Sequence, residues 1–211
     1  NASGCGTTLK DYGHLLAEDP QWQVAAARVA ALAKDVSEVL APAELRPVGR
    51  PVRADGTPLA VAYHAACSMQ HGQKLPEPPK ALLRAAGFVV KDVPEGHLCC
   101  GWAGTYQILQ PGLSRTLRDR KVANIDRVAP DLIAAGNFGC IGQIGSGTAI
   151  PLAHTVELLD WASGGPLPAA LEGRGFSLAI IPSAPSVIPS AARDLSGRES
   201  QAAEDPSLRS G

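Results

Sequence analysis

Five cysteines, Cys5, Cys67, Cys99, Cys100 and Cys140, are the residues of this 211-residue chain best suited to reactive chemistry. An odd count does not suit a disulfide scaffold, and the arrangement does not resemble one. Cys99 and Cys100 are adjacent, and neighbouring Cα atoms sit about 3.8 Å apart, below the roughly 4.4–6.8 Å of an unstrained disulfide. Two such thiols are better placed to point at a third centre. The gaps are 31 residues between Cys67 and Cys99 and 39 between Cys100 and Cys140, lengths that suit a site assembled by the fold. Four thiolates hold either zinc or an iron–sulfur cluster. Zinc sites usually carry short C-x₂₋₄-C pairs, and this sequence has none. Gly101 permits a positive φ that would turn both sulfurs of the pair inward. Gly101 and Gly104 leave backbone N–H groups free to approach inorganic sulfide.

The elements that must position these thiols follow from periodicity. Asp19 to Leu40 reads as a helix, capped by Asp19 with Pro20 in its first turn. A Pro-, Gly- and Arg-containing loop is expected from Pro42 to Gly56. The apolar run Leu59–Tyr63 has the signature of a buried strand. Pro78–Ala86 reads as a helix stopped by Gly87, and Phe88–Val93 as a second strand. Gly112 to Val128 reads as an amphipathic helix with Ser114 as its cap, Asp131–Ala135 as a third strand, and Thr155–Ala162 as a closing helix. Alternation of this kind gives an α/β unit with a small parallel sheet flanked by helices. Cys67 then follows the first strand, Cys99 and Cys100 the second, and Cys140 the third. All four meet at the carboxyl edge, where such folds build their sites.

Composition narrows the function classes. Nineteen basic against twenty acidic residues leave a net charge of −1, which disfavours nucleic acid as the main partner. No run approaches the roughly 18 apolar residues of a spanning helix. The chain opens on Asn1 rather than Met, so the expectation is that it starts inside a longer protein. It shows no secretory leader as it stands, which points to the bacterial cytoplasm or a complex peripheral to the inner face of the cell membrane. Beyond Gly165 the sequence is rich in Pro, Ser, Ala, Gly and Arg without steady period, and residues 167–211 are expected to form a disordered tail. Asn1 to Cys5 and Asn137 to Cys140 share an Asn, Gly-Cys pattern, a hint of two tandem cysteine units.

Four segments carry a family resemblance: HAACSMQHGQKL, HLCCGWAGTYQILQP, GNFGCIGQIGSGT and HTVELLDWASGGP. Together they resemble the C-terminal half of the glycolate oxidase iron–sulfur subunit. More broadly, they resemble the cysteine-rich CCG domain shared with heterodisulfide reductase, the anaerobic glycerol-3-phosphate dehydrogenase small subunit and lactate-utilisation proteins. The likeness covers roughly residues 1–168. It implies a cluster, 4Fe-4S in type, ligated by Cys67, Cys99, Cys100 and Cys140. It also implies that Cys5 is a metal ligand of a preceding copy. Residues 1–56 would then end a first cysteine-rich domain and its connecting helix, and residues 57–166 would form the second. An electron-carrying subunit of an oxidoreductase is implied, with flavin-containing partner subunits and a quinone or another membrane acceptor. The fullest family pattern ends in C-x-x-C, whereas here Gln143 stands where the last cysteine would be, which favours four ligands over five. The cysteine runs of the family's N-terminal ferredoxin-like domain are not in this chain.

The remaining candidates receive blander readings. His64 and His97 stand near the cysteines and could supply a substitute ligand or a donor, His64 with the better claim because it ends a strand. His71 is expected to hydrogen-bond its loop, and His14 and His154 to be structural. Arg115, Arg118, Arg120 and Lys121 read as a solvated basic face. Trp102, Tyr106 and Trp161 read chiefly as packing, and GQIGSGT as a tight turn around the cluster. No nucleophile–His–acid set, Walker loop or Rossmann fingerprint is present. Two competing readings are a structural zinc or thiol module and a non-functional remnant. A related complex acting on glycerol 3-phosphate or lactate is the alternative within the family.

Overall fold

The computed structural model describes residues 1–43 and 45–181. The first elements are helices α1 (Ser3–Leu15), α2 (Gln23–Leu32) and α3 (Val36–Leu40), then strands β1 (Gly49–Val52) and β2 (Ala60–His64). A π-helical turn, Ser68–Gly72, leads to α4 (Glu77–Ala85) and β3 (Val89–Asp92). Helices α5 (Tyr106–Leu109) and α6 (Pro111–Asp126) precede β4 (Leu132–Ala135). The chain continues through α7 (Phe138–Gly145), β5 (Leu152–His154), α8 (Thr155–Ala162) and β6 (Ser177–Ile180).

The central sheet has the order β3-β2-β4-β5, and every neighbouring pair is parallel. All five residues of β2 and all four of β4 are buried, as interior strands covered on both faces must be. Their period-2 alternation divides the core in two. Val61, Tyr63, Leu132 and Ala134 pack with Leu82 and Leu83 of α4 and Leu158, Leu159 and Trp161 of α8. Ala62 and Ile133 face the other way, towards Ile125 of α6 and Ile144 of α7, in a cluster that also contains Cys100 and Cys140. The cysteine layer is therefore the lining of one of the two cores. Asp131 fixes the start of β4 by accepting from the Ala60 backbone N–H and Arg53 Nε, each at 2.7 Å.

Several expectations need correcting. The helix read over 19–40 is broken at residues 33–35, because Asp35 and Glu38 form a capping box that starts α3 afresh. The loop read over 42–56 contains β1, whose partner is β6, paired antiparallel from Gly49↔Ile180 to Val52↔Ser177. That pairing also moves the boundary of the expected tail. Residues 167–181 fold back onto the domain, with Leu171 fully buried and Leu167, Phe176 and Leu178 packed against the core. Their spacing follows the shape of the surface they cover, so no helical or strand period announces them. The rest of the expected tail, 182–211, lies outside the described residues. GQIGSGT is not a turn around the cysteines but mostly the body of α7. Ser114 lies inside α6 and does not cap it, since Pro111 already opens the helix.

Candidate metal centre

Cys67 follows β2 and leads into the π-helical turn, and Cys99 and Cys100 follow β3 and the 94–98 turn. Cys140 lies in the first turn of α7. Cys100 and Cys140 are buried, Cys67 and Cys99 half-buried, and all are free thiols. Cys67 and Cys99, Cys99 and Cys100, and Cys100 and Cys140 lie close enough to perturb one another's protonation. His64, the last residue of β2, is 2% exposed. A nitrogen of its ring and the sulfurs of Cys100 and Cys140 all lie within 4.8 Å of one another. Of the four cysteines expected to converge, Cys100 and Cys140 group with His64, and Cys99 packs against the same core cluster. Cys5 does not join them: it sits exposed on α1. His97 is exposed, as is His71, whose side chain makes no hydrogen bond among the described residues.

Three local devices hold the constellation. Gly101 has a φ of +93°, as its place after the cysteine pair led us to expect. Its N–H donates to Cys99 Sγ at 3.3 Å. Asn137 caps α7 by accepting from the N–H groups of Gly139 (3.0 Å) and Cys140 (3.3 Å), which fixes the turn that carries Cys140. Gln70 Nε2 donates to the carbonyls of Ala65 (2.6 Å) and Gly96 (3.0 Å), tying the Cys67 loop to the turn before the cysteine pair. Trp102 packs over Gly139 so closely that a Cβ there would fall 2.4 Å from its Nε1.

Sequence reasoning missed the contribution of α6. Its inward residues are Ser114, Lys121, Asn124 and Ile125, three of them polar, so hydrophobic periodicity cannot flag this face. Ser114 Oγ donates to the Gly101 carbonyl at 2.8 Å and accepts from Gln143 Nε2 at 2.9 Å. Gln143 thus clamps α7 to α6 through Ser114. Asn124 and Arg120 hold the Glu95 carboxylate, the latter through Nε at 2.8 Å. Lys121, read as part of a solvated face, is 1% exposed. Its Nζ donates to the carbonyls of Glu95 (3.1 Å) and Gly96 (3.3 Å).

Proton sharing shows what the cluster of thiols wants. Interaction with Cys100 and then Cys67, helped by the Gly101 N–H, pushes Cys99 well below the usual thiol range. The neighbouring Cys100, and then His64, likewise lower Cys140 against the opposing effect of burial. Cys67 and Cys100 are raised in turn, because each keeps its proton beside a neighbouring thiolate and is itself desolvated. Two sulfurs are thus poised as thiolates in a largely buried pocket. The donor set is all sulfur with one imidazole beside it, which selects a soft metal or an iron–sulfur group. Among the described residues the buried His64 Nε2 has no hydrogen-bond partner, a further mark of a site shaped for something besides protein. The residues fit such a group.

Comparison with known proteins agrees with this geometry. Residues 61–145 match the family described as CCG, cysteine-rich domain, a span that contains all four converging cysteines. The chain is 37% identical over 161 residues to the glycolate oxidase iron-sulfur subunit of Escherichia coli, covering 76% of this chain and 38% of the relative. It is 31% identical over 172 residues to the "probable glycolate oxidase iron-sulfur subunit" of Bacillus subtilis, covering 78% of this chain and 38% of that relative. Lactate utilization protein A of Geobacillus kaustophilus is 27% identical over 166 residues, covering 75% of this chain and 67% of that protein. The chain therefore spans well under half the length of the first two relatives. Among the described residues no helix is long and apolar enough to cross a membrane.

Proposed function

From the cysteine-rich CCG domain formed by residues 61–145, we propose that this chain is part of the iron–sulfur subunit of an oxidoreductase complex and that its role is to carry electrons. The observation that carries the reading is the convergence of Cys67, Cys99, Cys100 and Cys140 from three separate loops at one sheet edge. These four thiolates hold the group, which we take to be a 4Fe-4S cluster. When bound, it supplies one-electron redox chemistry. The chain's own residues do the rest. Gly101 and Asn137 orient the sulfurs, and burial of Cys100 and Cys140 keeps water from the inner side. The half-exposed Cys67 and Cys99 mark the side from which electrons enter or leave.

Glycolate is the favoured substrate of the complex, because the two most similar of the relatives described above are named for glycolate oxidase. The likeness to lactate utilization protein A keeps a lactate-oxidising complex as the second reading. In either case flavin-containing subunits would break the C–H bond, and electrons would pass through this subunit to a quinone or other acceptor. The fold would work in the cytoplasm or against the inner face of the membrane. We assign Cys5 to a preceding cysteine-rich unit, of which residues 1–56 form the end; its exposure supports that division.

Anaerobic reconstitution of the full chain with iron and sulfide tests the proposal. A cluster with an EPR signal on reduction is expected. A folded protein that takes up zinc but assembles no iron–sulfur cluster would move the weight to a structural metal module.

A further inference from the structure

Lys121 is among the largest fully buried side chains of the protein. An ammonium group rarely lies at such depth unless it is paired, because taking it out of water costs several kcal/mol. Its only hydrogen-bond partners among the described residues are two backbone carbonyls, Glu95 O and Gly96 O, which carry no net charge. Two neighbouring carboxylates are already engaged. Glu95 is held by Arg120 and Asn124, and Asp92, which lines the same 70 Å³ cavity as Lys121 and His64, is paired with Lys80 at 2.8 Å. Lys121 shares that cavity with His64, whose ring nitrogen lies within 4.8 Å of the Cys100 and Cys140 sulfurs, so the ammonium is buried beside the thiols. Cys67, Cys100, Cys99 and, after them, Glu95 act on it in the direction that keeps it protonated. Burial is the larger effect and lowers the Lys121 pKa overall, which is the cost the neighbouring negative charge offsets in part.

We propose that Lys121 is the counter-cation of the four-cysteine centre, a positioning residue that offsets the centre's negative charge and raises its reduction potential. The inference rests on the reading of that centre as a metal–thiolate site. Its physical basis is that reduction adds one negative charge, and a fixed positive charge in a low-dielectric interior favours the more negative form. Lys121 is not a ligand, and it transfers no proton in this role.

Three variants of the full chain separate charge from hydrogen bonding. Lys121→Met removes both, Lys121→Gln removes the charge but keeps an N–H donor for the two carbonyls, and Lys121→Arg keeps the charge. Redox titration of the reconstituted protein, followed by EPR, should show a tenfold weaker preference for the reduced state in both the Met and Gln variants. For a one-electron couple that is a fall of about 59 mV. The Arg variant should stay near the wild type. Cobalt(II) titration of the metal-free chain supplies a second readout, with a tenfold weaker affinity expected for Met and Gln and none of that loss for Arg. A Gln variant matching the wild type in both measurements would overturn the proposal and leave Lys121 as a brace for the 95–96 turn. Cobalt binding without any iron–sulfur cluster would sink the proposed function, while the cobalt series would still decide the role of Lys121. Uptake of neither metal would overturn both.

Discussion

Ser114 and Gly101 are locked together from both sides. The serine hydroxyl donates to the glycine carbonyl at 2.8 Å, and a Cβ at Gly101 would lie 2.2 Å from the Ser114 carbonyl oxygen. Helix α6 therefore presses directly on the backbone that follows the cysteine pair, and the shape of the metal centre depends on a residue with no side chain.

Gly101→Ala follows from that contact. The φ of +93° is strained for any L-residue, and the new methyl group would meet backbone that cannot swing aside. Strain and overpacking together should cost about 3 kcal/mol or more. Thermal unfolding of the metal-free protein should show a clear drop in Tm, and metal uptake should fall with it. Wild-type values for both would mean that the turn is looser than described.

Ser114 and Gln143 should behave as a unit. Gln143 Nε2 donates to Ser114 Oγ, which donates onward to Gly101, so removing either leaves a buried partner unsatisfied. Each of Ser114→Ala and Gln143→Leu should cost about 1–3 kcal/mol. The double variant should cost less than the sum, with a coupling of about 0.5–3 kcal/mol in denaturant unfolding. Strict additivity would show that the relay is not formed.

Glu95 gives a pH signature. Hydrogen bonds from Arg120 and Asn124 lower its carboxyl to about 2 from an ordinary value of 4.5. A depressed carboxylate stabilises the folded state above its unfolded pKa, and that contribution is lost as pH falls through the folded value. The wild type should thus exceed Glu95→Gln in stability at neutral pH by a constant margin. The margin should shrink as the pH drops from about 4.5 towards about 2. Denaturant midpoints of both proteins across that range check the sign; a gap that widens in acid would contradict it.

Much of this centre is readable from residue types. The strands β2, β3 and β4 follow from short apolar runs, and their carboxyl ends carry Cys67, Cys99, Cys100 and Cys140 as expected. The positive φ of Gly101 follows from its place after the pair. The remainder is hidden for physical reasons. Strand β5 has three residues, too few to show a period. Residues 169–180 attach through isolated apolar contacts such as Leu171, with no repeat. Lys121 stands in a basic run, where its charge is plain but the buried carbonyls that hold it are not. Gln143 is an ordinary polar residue in the sequence, and only the fold reveals that its amide is a clamp.

The most direct test of the four-ligand assignment is the iron and acid-labile sulfide content of a single-substitution series after anaerobic reconstitution. Cys67→Ser, Cys99→Ser, Cys100→Ser and Cys140→Ser should each lose most of the cluster, while Cys5→Ser, on the exposed face of α1, should keep the wild-type amount. About four irons per wild-type chain would agree with the cluster type. Full iron content in any of the four inner variants, or its loss in Cys5→Ser alone, would contradict the account.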